Sequence, residues 1–180
     1  MDFITQLPLS NSFDSILVIV DRFSKMAFFI PTMSTIPSLD LAHLFIKSIF
    51  SKHVLPSSIV SDRGSLFVSS FWTNLFQQLK ISTDLSTAYH LEKNGQTERF
   101  NKILKQYFWM YVSYHQDDRK TWLLLAEFAC NNSDHSSTKQ SPFFTVYGRD
   151  PHFESVQITQ DTPAGKLSTK LQSVQKDVKR

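Results

Sequence analysis

The sequence predicts an α/β domain with a mixed sheet, antiparallel in its first part and parallel afterwards, flanked by helices. Two observations predict it. Strand-like runs follow one another closely at the start of the chain, and shorter strands then alternate with amphipathic helical segments. The 180 residues are 41% hydrophobic, which is enough for one domain with a core of its own.

Three strands open the chain. The runs "MDFITQLPL", "SILVIVDR" and "MAFFIPT" are rich in β-branched and aromatic residues, and Pro8–Ser12 separates the first two. Only "FSK" lies between the second and the third. Because such short connections join antiparallel neighbours, we expect a three-stranded meander.

Helices and strands then alternate. In "SLDLAHLFIKSIFSKH" the apolar side chains of Leu41, Leu44, Phe45 and Ile49 form one stripe, as in an amphipathic helix. The strand "SSIVSD" follows, and then the helix "SSFWTNLFQQLK", with Phe71, Leu75, Phe76 and Leu79 facing inward. "STDLST" is another short strand. Strands separated by helices usually run parallel.

The remainder is predicted to be helical. A long helix from about Asn94 carries Ile103, Tyr107, Met110 and Tyr114 and ends at "DDR". A second, "TWLLLAEFACNN", buries Trp122, Leu125, Ala126 and Ala129. The third, "SPFFTVYG", has Ser141 as N-cap, Pro142 in its first turn and Gly148 after its end. We expect one folded domain in residues 1–150, and a linker with a basic C-terminal helix or tail in residues 151–180.

Composition excludes several classes of protein. The single cysteine, Cys130, excludes an internal disulfide framework and a cysteine-based zinc site. No apolar run is long enough to cross a membrane, and no signal peptide is visible, so no membrane partner is expected. The net charge of +3 is too small to identify a nucleic-acid binder by itself.

Three acids occur where this arrangement of elements can bring them together. Asp2 lies in the first strand, Asp62 ends the strand "SSIVSD" before Gly64, and Glu98 lies in the first turns of the long helix. Three adjacent carboxylates repel unless cations neutralise them, and hard oxygen ligands suit Mg²⁺ or Mn²⁺. A pair of such ions can support an in-line phosphoryl displacement. Lys102 and Lys105 follow Glu98 on one helix face and can bind flanking phosphates.

Each acid also has an ordinary explanation. Asp2 can be a solvated residue near the start of the chain, Asp62 a turn residue, and Glu98 one half of a helix salt bridge with Lys102. Composition and spacing do not choose between these readings.

Sequence motifs favour the metal site. The segments "SDRGSLFVSSFW", "GQTERFNKILKQ", "LLLAEFACNNSDHSST" and "SPFFTVYGRDP" resemble the integrase catalytic core of gypsy-type LTR retrotransposons, within the retroviral integrase superfamily. Positions 63–97, thirty-five residues, separate Asp62 from Glu98, as in the acidic triad of those integrases. "MDFITQLP" resembles the strand that bears the first catalytic Asp. The resemblance extends to about Pro151 and implies that residues 1–150 form the integrase catalytic core.

The resemblance implies a ribonuclease-H-like fold with a five-stranded mixed sheet, and two Mg²⁺ or Mn²⁺ ions held by Asp2, Asp62 and Glu98. It implies hydrolysis of a phosphodiester near the end of the element's DNA, then attack of the new 3′-hydroxyl on host DNA. Asn101, Lys102 and Lys105 match positions that contact DNA ends. A homo-oligomer that acts in the nucleus, after a cytoplasmic particle stage, is also implied.

Two other functions remain open. A non-catalytic nucleic-acid-binding or assembly module is favoured by the altered loop "YHLEKNGQTER", in which Leu91 replaces the family's proline and Lys93-Asn94 its Thr-Asp. A ribonuclease-H-type nuclease, which would bind and cleave RNA in hybrids, shares the fold and metals. Among the aromatic residues, Phe67, Phe71 and Trp72 are predicted to pack in the core, whereas His90 and Trp109 can each be structural or contact nucleic acid.

Overall fold

The computed structural model describes residues 1–61, 67–85, 119–151 and 169, with the side chains of Asp84, Leu85 and Thr121 excepted. Its five strands are β1 (Asp2–Ile4), β2 (Ser15–Val20), β3 (Ala27–Thr32), β4 (Ser58–Ser61) and β5 (Ser82–Leu85). Its helices are α1 (Ser38–Phe45), continued by a π-helical turn at Ile46–Phe50, then α2 (Ser70–Gln78), α3 (Arg119–Asn131) and α4 (Pro142–Tyr147).

The predicted meander is confirmed. β1, β2 and β3 form an antiparallel sheet in that order, with Asp2 opposite Val18 and Val18 opposite Phe29. β3 is an edge strand, which explains how it accommodates Pro31: the missing N–H of a proline removes no ladder bond when it faces outward. β4 and β5 pair in parallel, as predicted.

The two described sheets meet at the first residue of the chain. The amino group of Met1 donates a hydrogen bond to the Val60 carbonyl oxygen at 2.6 Å, which brings the β1 edge beside β4. The described strands therefore form a three-stranded and a two-stranded sheet joined by this contact. The single five-stranded sheet stays a prediction.

The core has two layers, one on each face of the first sheet. On one face, Leu17 and Ile30 pack with α1 and α2, where Trp72 is fully buried among Phe45, Phe67, Phe71 and Phe76. On the other face, Ile16, Val18 and Phe29 pack against the apolar side of α3. The core roles predicted for Phe67, Phe71 and Trp72 are confirmed, although Phe71 is only partly buried.

The described part of helix α3 begins at Arg119, two residues before the predicted segment "TWLLLAEFACNN", and the helix predicted to end at "DDR" lies outside the described residues. Ser10 Oγ accepts the N–H of Lys120 at 3.3 Å, and Arg119 Nη2 donates to the Phe13 carbonyl at 2.9 Å. The Ser10 bond satisfies one backbone N–H in the first described turn, and the Arg119 bond ties that turn to the same loop. Both partners lie more than 100 residues away in the sequence, so no local pattern marks these contacts.

Helix α4 begins and ends at the residues that the sequence predicted. Ser141 Oγ accepts the Phe144 N–H at 2.8 Å, Pro142 occupies the first turn, and Gly148 ends the helix with φ of 70°. No helix in the described ranges is long and apolar enough to span a membrane. The division at residue 151 stays a prediction, because residues 152–180 other than Thr169 lie outside the description.

Candidate active site

Asp2 is the only predicted site residue within the described part of the chain. Asp62, Glu98, Asn101, Lys102 and Lys105 lie outside the described residues, as do His90 and Trp109. The structure therefore gives the surroundings of one acid of the three, together with the strand that leads to the second.

The Asp2 side chain is half-buried on the sheet face that it shares with Ile4. Because alternate residues of a strand point to the same face, Asp2 lies on the side of the sheet packed by α3. Its Oδ1 accepts the N–H of Phe3 at 2.8 Å. This bond holds one carboxylate oxygen against the backbone and restricts the rotation of the side chain.

β1 and β4 run in the same direction. Met1 continues the β1 register to a position opposite Ile19. The same cleft is lined both by residues 19–21 at the end of β2 and by residues 57–59 at the start of β4. Both strands therefore start at the cleft and run away from it. Asp62 follows directly, in sequence, the last residue of β4, Ser61, whose side chain is buried.

The segments on either side of residues 62–66 both contact β1. Val60 does so through Met1, and the Phe67 ring stacks on the Phe3 ring with centroids 5.2 Å apart and planes 18° from parallel. Phe67 in turn contacts the buried Trp72 edge to face. The strand that carries Asp2 is thereby fixed to the elements that lead to and from Asp62.

The acids with shifted pKa values in the described ranges are structural. Side-chain and backbone hydrogen bonds from Ser34 lower the pKa of Asp14. Burial tends to raise the pKa of Asp21, but bonds from the Ser24 hydroxyl and amide outweigh it and lower that pKa. Within those same ranges, no three His, Cys, Asp or Glu residues lie close enough to hold a metal ion.

Sequence reasoning missed a polar pair on α3. Asn131 Oδ1 accepts the Ala27 N–H and Asn131 Nδ2 donates to the Ala27 carbonyl, both at 2.8 Å, and Glu127 Oε2 accepts the Phe29 N–H at 2.7 Å. Burial raises the pKa of Glu127, against the bond from Phe29 and the charge of Lys52. The available signal was their i, i+4 spacing on an otherwise apolar helix face.

Comparison with solved structures identifies the fold. The human T-cell leukaemia virus type 2 (HTLV-2) integrase catalytic core domain, in a trimeric complex with magnesium, matches 79% of this chain and 91% of its own at a TM-score of 0.60 and 16% identity. A chain of the simian T-cell lymphotropic virus intasome, in complex with PP2A regulatory subunit B56 gamma, matches 89% of this chain and 59% of its own, at a TM-score of 0.62 and 18% identity. The chain has the α/β fold of integrase catalytic cores.

Sequence comparison identifies the family of this chain. The Transposon Tf2-3 and Tf2-4 polyproteins of Schizosaccharomyces pombe are each 30% identical to this chain over 158 residues, which is 88% of the chain and 12% of each polyprotein. The chain thus spans a small part of the curated relatives that it matches. No family model matches it. With the structural likeness, these relatives confirm the resemblance found in the sequence: the chain belongs to the integrase family, as an integrase core of an LTR retrotransposon.

Proposed function

We propose that this chain catalyses divalent-metal-dependent processing of the 3′ ends of retrotransposon DNA and transfer of those ends into host DNA. Asp2, Asp62 and Glu98 are the proposed catalytic carboxylates. The observation that carries the proposal is the bond between Met1 and Val60, because it sets the register of β1 against β4.

The register leads directly to Asp62. In a parallel pair, a residue whose N–H bonds the carbonyl of residue j lies level with residue j+1 of its neighbour. Met1 is therefore level with Ser61, and the proposal extends this register by one step, to place Asp2 level with Asp62. Adjacent strands lie about 4.8 Å apart and level residues point to the same face, so the two carboxylates are proposed neighbours on the α3 side of the sheet.

The donor set fits a hard divalent cation. Asp2 contributes a half-buried carboxylate on a strand that is anchored on both sides, and Asp62 and Glu98 add oxygen donors of the same kind. Bound Mg²⁺ or Mn²⁺, in two sites, would supply charge stabilisation and a more acidic attacking water or hydroxyl. The contribution of the chain is to hold these oxygens on a rigid sheet, and the bond from Phe3 orients that of Asp2.

The proposed partners are the DNA ends of the element and host target DNA. Lys102 and Lys105 are proposed to bind phosphates and Asn101 to contact the DNA end beside Glu98. HTLV-2 integrase cores occur in trimeric and dimeric forms, which supports a homo-oligomer here. The proposed site of action is the nucleus, after assembly in a cytoplasmic particle.

The test is a disintegration and nicking assay on branched DNA with Mg²⁺ or Mn²⁺, using the parent chain and its Asp2→Asn, Asp62→Asn and Asp40→Asn variants. Asp40 is exposed in the first turn of α1, so its variant controls for loss of one negative charge. We expect metal-dependent turnover in the parent and Asp40→Asn, and none in the other two variants.

Two results would contradict the proposal. DNA binding without turnover in the parent would favour the non-catalytic binding module, and preferential cleavage of an RNA–DNA hybrid would favour the ribonuclease-H-type nuclease. Equal melting temperatures across the variants would show that lost turnover is not lost folding.

A further inference from the structure

The turn between β2 and β3, residues 21–26, presents an aromatic ring to solvent. Phe23 is 83% exposed, more than any other Phe, Tyr or Trp side chain in the described ranges, and its neighbour Arg22 is exposed as well. Single exposed apolar residues are common on protein surfaces, so exposure alone identifies no site. What distinguishes this ring is the frame that holds it and the charge beside it.

Asp21 holds the turn in one shape. Its Oδ2 accepts the Ser24 N–H at 2.9 Å and the Ser24 hydroxyl, and its Oδ1 accepts the Phe23 N–H at 3.4 Å. The Asp21 backbone N–H donates to the Met26 carbonyl at 2.8 Å, and its carbonyl accepts the Lys25 N–H at 2.9 Å. Because these bonds fix the backbone on both sides of Phe23, the ring extends from a rigid support.

Lys25 completes this frame at a conformational cost. Its φ of 66° lies in the left-handed region, which is unfavourable for a residue with a side chain. Its ammonium group donates to the Arg22 carbonyl oxygen, which ties the two ends of the turn together. A turn that only reversed the chain could place glycine here, so the closed shape is maintained against a local penalty.

The charges of the turn leave Arg22 uncompensated. Burial tends to raise the pKa of Asp21, but the bonds from Ser24 and Phe23 and the charge of Lys25 lower it, so this carboxylate is ionised at neutral pH. Its charge is opposed by Lys25 within the turn. Arg22 forms no ion pair with any residue that the structure describes. The exposed ring therefore has one free positive charge directly beside it.

We propose that this turn binds an unpaired nucleotide of DNA, with Phe23 stacked on the base and Arg22 on the adjoining phosphate. An aromatic side chain stacks on a base of any sequence, provided that the base lies outside a duplex. The adjacent cation favours a polyanion over an apolar protein surface as the occupant. The site therefore takes single-stranded DNA or a frayed DNA end, with little sequence preference.

The distance of the turn from Asp2 gives this contact a place in the proposed reaction, and this step alone rests on the proposed function. Asp2 lies opposite Val18, and Asp21 follows Val18 by three residues. At about 3.4 Å per residue, the turn begins about 10 Å from the level of Asp2. Phosphates of one strand follow each other at about 3.4 Å along B-DNA, so the turn is reached about three nucleotides from a phosphate at Asp2.

The experiment measures the fluorescence anisotropy of a labelled oligodeoxythymidine strand, and of a blunt duplex of the same length, in EDTA. Phe23→Leu keeps an exposed apolar side chain but removes the ring, and Phe23→Trp enlarges the ring. Tyr147→Leu is the matched control, because Tyr147 is 58% exposed on α4. We expect Phe23→Leu to weaken single-strand binding about fivefold or more, Phe23→Trp to bind at least as tightly as the parent, and Tyr147→Leu to change binding less than about twofold.

Arg22→Gln tests the phosphate contact in the same assay at several salt concentrations. Arg149→Gln is its control, because Arg149 is also an exposed arginine outside the helices and strands. We expect the dependence of log affinity on log salt to become shallower by about 0.7 in Arg22→Gln and to stay unchanged in Arg149→Gln.

Equal single-strand binding by the parent and Phe23→Leu would overturn the site and would favour an apolar protein partner for this side chain. Equal losses in Phe23→Leu and Tyr147→Leu, or an unchanged salt dependence in Arg22→Gln, would overturn it too. Since Phe23 is exposed, equal melting temperatures are expected for its variants and the parent. EDTA excludes catalysis, so failure of this site is distinguishable from failure of the proposed function, which the disintegration assay reports.

Discussion

Replacing Asn131 by alanine tests how α3 is joined to the sheet. The Asn131 side chain is buried and bonds both backbone groups of Ala27, a residue with no exposed surface on edge strand β3. In Asn131→Ala both groups stay buried and lose their partners. A buried polar group left without a partner costs about 1–3 kcal/mol, so two cost about 2–6 kcal/mol of unfolding free energy.

Asn132 supplies a matched control one residue away. It is as buried as Asn131, at 3% exposure each, but within the described ranges neither of its amide atoms has a hydrogen-bond partner. Asn132→Ala removes two buried polar atoms that contribute no bond. We expect its unfolding free energy to stay within about 1 kcal/mol of the parent.

Urea unfolding at neutral pH, followed by circular dichroism, measures both variants. A loss of about 2–6 kcal/mol corresponds to a drop of roughly 6–18 °C in melting temperature for a chain of this size. Equal losses in Asn131→Ala and Asn132→Ala would refute the reasoning, because they would show that volume, and not the two bonds to Ala27, sets the cost.

Three further predictions concern single side chains. Because burial raises the pKa of Glu127, the parent loses stability as the pH rises from the ordinary pKa of glutamate through the raised pKa. Glu127→Gln should therefore have a higher melting temperature than the parent at pH 7 and the same melting temperature in acid. A higher melting temperature for the parent at pH 7 would contradict this. Burial, reinforced by Glu127, raises the pKa of Cys130 to about 12, so iodoacetamide at pH 8 should modify the native thiol roughly a thousandfold more slowly than the urea-unfolded one, as mass spectrometry would report. Gly148→Ala should cost about 1–2 kcal/mol in urea unfolding through its φ of 70° alone, because an added Cβ meets no atom within 4 Å; a neutral substitution would show that the turn relaxes.

The strands and helices that follow from local pattern were predictable. Alternation and short connections predicted the meander, and Ser141, Pro142 and Gly148 marked both ends of α4 because capping depends on neighbouring residues. The apolar stripes of α1 and α2 predicted Phe45 and Phe76 as core residues for the same reason.

Contacts between distant segments were not predictable. The bonds from Asn131 to Ala27 and from Arg119 to Phe13 join residues more than 100 positions apart, and no periodicity encodes them. The proposed site also depends on contacts between distant segments. Asp2, Asp62 and Glu98 were identified through family motifs. The described contacts that support the proximity of Asp2 and Asp62 are the Met1–Val60 bond and the Phe3–Phe67 stack, and both depend on how distant segments pack together.

The cover that α3 places over β3 also limits how copies of this chain can associate. An uncovered edge strand is a template on which any other chain, including a misfolded copy, can add a strand of its own. Here Asn131 bonds both outward backbone groups of Ala27, Glu127 accepts the Phe29 N–H, and Pro31 has no N–H to donate. We therefore expect copies of this chain not to associate by adding a strand at β3, and a chain that lost this cover would become prone to aggregation along β3.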